Sequence, residues 1–130
     1  MPHLLFIDDH KRTLQLIGVM MSATRFGACE STMVERLSDA EDMLARRTAS
    51  LIFLDNYLPP HRSFHVPLQR LQAISDAPII LMTSSDLADL GETDIPEGFA
   101  DYLPKTELSV ARLEGLLAAY LGEPPEFKAE

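Results

Sequence analysis

Cysteine is nearly missing from this chain, with Cys29 as its one thiol. A single thiol excludes an intramolecular disulfide and a Cys-based zinc site. Positive charge is also scarce. Eleven Lys and Arg stand against 20 Asp and Glu, a formal net charge of −9. That balance argues against nucleic-acid binding through the domain itself, because phosphate contacts need Lys and Arg. No apolar run approaches the roughly 20 residues that span a bilayer. The start, Met1 to Asp9, has no basic segment and acids cut its apolar run short, so it does not read as a secretory leader. There is no internal repeat, linker or low-complexity segment. What is there is 130 residues, 46% hydrophobic and 24% charged, the makeup of a folded chain. That length gives one domain, which buries about two-thirds of its unfolded surface. The expectation is a soluble, cytoplasmic, single-domain protein.

Short apolar runs alternate with helical patterns. His3 to Ile7 is the first run and stops at Asp8-Asp9. Leu14, Ile17, Gly18 and Met21 follow at helical spacing. Thr32 to Arg36 reads as a polar-ended edge strand. Ser38-Asp39-Ala40-Glu41 has the spacing of a capping box, which makes Ser38 the N-cap of a helix burying Leu37, Ala40 and Leu44. Leu51 to Leu54 is an apolar strand that stops at Asp55. Leu68, Leu71 and Ile74 mark a third helix, with Pro67 in its first turn. Pro78 to Met82 is a strand that stops at Thr83-Ser84-Ser85. A short helix over 86–90 follows, with Gly91 as its stop. Phe99 to Leu103 is the last strand, and Val110, Leu113, Leu117 and Leu121 line the last helix. The acidic tail, 122–130, is expected to be disordered, which leaves a domain over 1–121. Five strands, each followed by a helix, imply a parallel sheet covered on both faces.

In such sheets a ligand sits beyond the carboxyl ends of the strands. The residues expected there are Asp8 and Asp9, Asp55, Thr83 and Ser84, and Lys105. Three carboxylates at one point repel each other and favour a bound cation. Carboxylate oxygens, with neither Cys nor His among them, suit a hard ion such as Mg²⁺. A lysine beside them neutralises a second anion, and a threonine hydroxyl donates to it. Together these groups suit phosphoryl chemistry. Other candidates read as ordinary. His61 and His65 have i, i+4 spacing, but no further ligands stand near and Pro67 unsettles the helix. Cys29 reads as inert and the methionines as core filler.

At these residues the sequence resembles the receiver domain of two-component response regulators. The matching segments are LLFIDDH (4–10), LIFLDNYLP (51–59), PIILMTS (78–84) and DYLPK (101–105). The spacing matches too, with 28 positions from Asp55 to Thr83 and 22 from Thr83 to Lys105. The resemblance covers about residues 3 to 121. It implies an α/β, flavodoxin-like (βα)5 fold: a doubly wound, five-stranded parallel sheet in order 2-1-3-4-5. It implies that Asp55 is the phosphoacceptor, taking a phosphoryl group from a kinase histidine. Asp8 and Asp9, with Asp55 and the Tyr57 backbone carbonyl, would hold Mg²⁺ or Mn²⁺. Lys105 would pair with Asp55 and then with the phosphoryl oxygens. Thr83 and Tyr102 would be the switch pair. Tyr57, Ser84 and Ser85 stand at positions that tune access and the lifetime of the acyl phosphate. The sequence departs from the pattern at Ser63, where glycine is common, and at Pro59-Pro60-His61-Arg62. Lys105-Thr106 replaces the usual Lys-Pro pair, which moves the candidate cis bond to Leu103–Pro104.

The reading is a single-domain response regulator and not an enzyme: a phosphoacceptor that promotes only its own phosphorylation and dephosphorylation. Its expected partners are a sensor histidine kinase or histidine phosphotransfer protein, and a target bound through the face of helix 4 (the short helix over 86–90), strand 5 (Phe99 to Leu103) and helix 5 (Val110 to Leu121). Neither nucleic acid nor membrane is an expected partner. The alternatives are a phosphorylation-independent receiver-like binding module, or a receiver fragment of a larger regulator or hybrid kinase. An aspartyl phosphatase would want a second Asp two residues after Asp55, where Tyr57 stands.

Overall fold

Leu, Ile, Phe and Met fill three short runs, and each becomes a strand buried along its whole length: β1 (His3–Ile7), β3 (Leu51–Asp55) and β4 (Ile79–Thr83). The computed structural model describes residues 2–61, 63–84 and 94–122. Two less buried strands, β2 (Glu30–Val34) and β5 (Asp101–Pro104), form the edges. The order is β2-β1-β3-β4-β5 and every pairing is parallel. This is the expected fold class and strand order.

Parallel strands need crossovers, and helices supply those that precede β2, β3 and β4: α1 (Lys11–Ala23), α2 (Leu37–Arg46) and α3 (His65–Gln72). After β5 and a single 3₁₀ turn at Lys105–Glu107, α4 (Val110–Leu121) packs back on the sheet. The short helix expected over 86–90, its stop at Gly91, Ser85, and tail residues 123–130 all lie outside the described residues. Side chains alternate across each strand, so one sheet feeds two cores. Leu4 and Phe6 join α1 and α4, whereas Leu5 and Ile7 join α2 and α3. Phe6 and Phe53, partners in register, stack with centroids 4.6 Å apart. Among the described residues, no helix is long and apolar enough to cross a membrane.

Several local expectations shift. Ser38 is not an N-cap. The helix starts two residues earlier because buried Leu37 joins its first turn, and Arg36 caps it through its backbone carbonyl alone. Met43 is buried there while Leu44 is only half-buried. Strand β2 starts two residues before its expected place, because pairing with β1 runs from His3↔Glu30 to Ile7↔Val34. Strand β5 starts at Asp101, since Phe99 turns aside to pack edge-on against Phe64 at 5.1 Å. Ile74 lies beyond the end of α3 and is exposed. In α4, Leu116 is buried and Val110 is exposed, and Ser109 caps the helix by accepting from the Arg112 amide at 3.0 Å. Leu103–Pro104 is trans; the cis peptide bond among the described residues is Pro59–Pro60.

Candidate functional site

The carboxyl edge of the sheet is built by strands that stop on polar residues. Asp8 follows β1 and extends the ladder by donating its amide to the Val34 carbonyl at 3.1 Å. Asp55 is the last residue of β3 and pairs in register with Met82. Thr83 ends β4 opposite Pro104, and Lys105 follows at the start of the 3₁₀ turn. Register thus brings side chains from four strands to one point. Asp8, Asp55 and Thr83 are buried, Lys105 is nearly so, and Asp9 is half-buried.

Lys105 holds the acids together. Its Nζ lies 2.7 Å from Asp8 Oδ2 and 3.2 Å from Asp55 Oδ1. Burial pushes the Asp55 carboxyl up from 3.8 to about 6; the Asp8 charge adds to the rise and Lys105 opposes it. For Lys105, burial works to lower the ammonium, but the hydrogen bond with Asp8 and the charges of Asp55 and Asp8 outweigh it, and its pKa is raised. Three ionised acids and one lysine leave a double negative charge. Asp55 Oδ2 is buried and has no hydrogen-bond partner among the described residues. A buried carboxylate oxygen without a partner is costly. A divalent cation would satisfy that oxygen and the charge together, so the donor set fits the metal expected there.

The structure corrects one expectation about that set. A histidine does stand among the acids. His10 donates its backbone amide to Asp8 Oδ1 at 2.9 Å, and its ring Nδ1 lies 3.1 Å from Asp8 Oδ1 and 3.3 Å from Asp9 Oδ1. Ligand atoms of Asp8, Asp9, His10 and Asp55 all lie within 4.8 Å of one another. The signal in the sequence was its place directly after Asp8-Asp9. His61 and His65 take no part; His65 pairs with Ser63 Oγ at 2.9 Å and stacks on Phe64.

Thr83 Oγ1 donates to the Tyr102 hydroxyl at 3.2 Å, so the two residues singled out as a pair are in contact. Strand β5 is tied to α4 by Arg112, which donates to the Tyr102 carbonyl at 3.1 Å, and the residue just before the strand by Tyr120, which donates to the Ala100 carbonyl at 2.8 Å. Ser84, directly after Thr83, and the Tyr57 side chain, two residues after Asp55, are exposed. An open groove of about 600 Å³, lined by Asp9, Val34, Arg36 and Pro59 among others, lies beside the site.

A parallel five-stranded sheet in this order, with an acid cluster and a lysine at its carboxyl edge, is the fold of response-regulator receiver domains. Solved structures bear this out. The chain is similar to a two-component response regulator from Clostridium difficile, with TM-score 0.77 and 20% identity over 99% of this chain and 100% of that one. It is similar to a CheY-like receiver domain from Methylobacillus flagellatus, with TM-score 0.76 and 20% identity over 92% and 98%. A signal receiver domain of an HD domain-containing protein from Pseudomonas fluorescens Pf-5 gives TM-score 0.74 and 21% identity over 92% and 94%. No protein-family model and no curated protein matches the sequence.

Proposed function

We propose that this chain is a phosphorylation-switched receiver of two-component signalling, working in the cytoplasm. The observation that carries the reading is the Lys105 bridge between Asp8 and Asp55, which leaves Asp55 Oδ2 buried and without a partner. In the reaction, an Asp55 carboxylate oxygen attacks the phosphorus of a phosphohistidine. The new O–P bond forms as the P–N bond breaks, and the leaving imidazole nitrogen keeps the electron pair and takes up a proton. Asp8, Asp9, Asp55 and the Tyr57 carbonyl would hold Mg²⁺, which supplies neutralising charge to the phosphoryl oxygens when bound. Lys105 then moves its charge from the Asp55 carboxylate to the phosphoryl group, and Thr83 donates to it. Exposed Ser84 leaves the donor room to approach, and the groove beside Asp9 lets it in. Tyr57 and Ser85 would tune the lifetime of the acyl phosphate. Output is a change at the surface carrying Tyr102, β5 and α4, read by a protein partner. The chain is thus a signalling domain whose chemistry is confined to its own phosphorylation and dephosphorylation.

The test is intact mass after incubation with Mg²⁺ and acetyl phosphate. Wild type is expected to gain one phosphoryl group and Asp55→Asn none. If neither protein gains the group, and beryllofluoride with Mg²⁺ also fails to bind, a phosphorylation-independent binding module takes its place.

A further inference from the structure

We propose that His10 is itself a ligand of the divalent ion at this site, and that its nitrogen tips the site from Mg²⁺ toward first-row transition metals. The inference rests on the reading of Asp8, Asp9 and Asp55 as a metal site. Its ground is where the ring stands. The backbone bond from the His10 amide to Asp8 Oδ1 turns the residue back over the acids. Nδ1 then lies 3.1 Å from Asp8 Oδ1 and 3.3 Å from Asp9 Oδ1. Neighbouring ligand atoms in an octahedral shell with bonds near 2.1 Å are about 3 Å apart. Nδ1 is therefore spaced from both acids as an adjacent ligand would be. The buried Asp55 Oδ2, without a hydrogen-bond partner among the described residues, points independently to a cation in the same cluster.

The consequence is chemical. An all-oxygen site suits Mg²⁺, which sheds water reluctantly and prefers carboxylates. Adding an imidazole favours metals that bind nitrogen, and affinity at such a site climbs from Mn²⁺ toward Ni²⁺. The His10 ring is more than half exposed, so it can seat a ligand bond without disturbing the core. A ring that only hydrogen-bonds to the acids would orient them for any metal alike, and that role can be separated from ligation.

The experiment uses untagged, full-length wild type, His10→Ala, His10→Asn and Asp55→Asn. His10→Asn keeps a donor for the acids but has no imidazole nitrogen. Mn²⁺-loaded wild type is expected to show ¹⁴N coupling from a directly bound imidazole in pulsed electron paramagnetic resonance, and both His10 variants to lack it. Calorimetric titration with Ni²⁺ and Mg²⁺ is expected to show the Ni²⁺-to-Mg²⁺ affinity ratio falling about tenfold in both His10 variants. Mn²⁺ bound to wild type without ¹⁴N coupling overturns the inference, as does a wild-type ratio in His10→Asn. In either case Mg²⁺ binding that is lost in Asp55→Asn leaves the acid site standing. No binding of any of the three ions to wild type overturns the metal site and this inference together.

Discussion

Asp55 is held in a form that works against folding. Its pKa rises from 3.8 to about 6, chiefly by burial. A raised folded-state pKa means the native protein binds the proton more tightly than the unfolded chain does. The stability from that group is therefore fully present below pH 3.8 and is lost as pH rises through 6. The gap amounts to about 3 kcal/mol at neutral pH, as an order of magnitude. Asp55→Asn removes the ionising group, so in metal-free buffer at pH 7.5 it should be the more stable protein, by about 1–3 kcal/mol. Below pH 4 the two should converge. Urea titrations across this range check it, and a wild type more stable than the variant at pH 7.5 would refute it. The acids and Lys105 were legible in the sequence because each ends an apolar run or stands just after one, and strand ends meet at one edge. His10 was not, because its part depends on a backbone turn that folds the ring back onto Asp8, and linear spacing does not report that.

Hydrophobic periodicity placed the elements well and their ends less well. β1, β3 and β4 were plain because strands buried on both faces are uninterrupted apolar runs. β2 and β5 shifted because an edge strand takes its limits from its neighbour's register, and that pairing is absent from its own composition. The Ser38 capping box failed for a related reason: Leu37 gains more from entering the core than Ser38 does from capping. Ion pairs such as Arg70–Glu41, between α3 and α2, are exposed and each adds less than about 1 kcal/mol. Packing decides more. Gly98 has φ of 98°, and a Cβ there would stand 2.8 Å from Leu68 Cδ2 and 2.9 Å from Gln72 Nε2, both on α3. Gly98→Ala should therefore destabilise the fold by about 1–3 kcal/mol, with the shift read from urea midpoints at unchanged slope. An unchanged midpoint would mean that α3 yields freely at this contact.

The whole molecule carries a net charge of −9 and concentrates part of it at the carboxyl edge of its sheet. A metal that binds the folded cluster and not the unfolded chain raises stability by mass action, about 2.7 kcal/mol at a hundred times its dissociation constant. Mg²⁺ should therefore raise the melting temperature of wild type more than NaCl at equal ionic strength, which only screens the surface. Equal rises with the two salts would sink the metal site. The proposed signalling surface hangs on a smaller quantity. The Thr83 hydroxyl owns one proton and spends it on Tyr102. On the proposed reading an arriving phosphoryl oxygen claims that proton, and Tyr102 must then donate its own to Thr83 to keep the contact. Tyr102→Phe would lack the proton for this reversal. The protein's report to its partner would then be a change of direction along two hydroxyls, carried from a buried acid to a half-buried ring without displacing a strand.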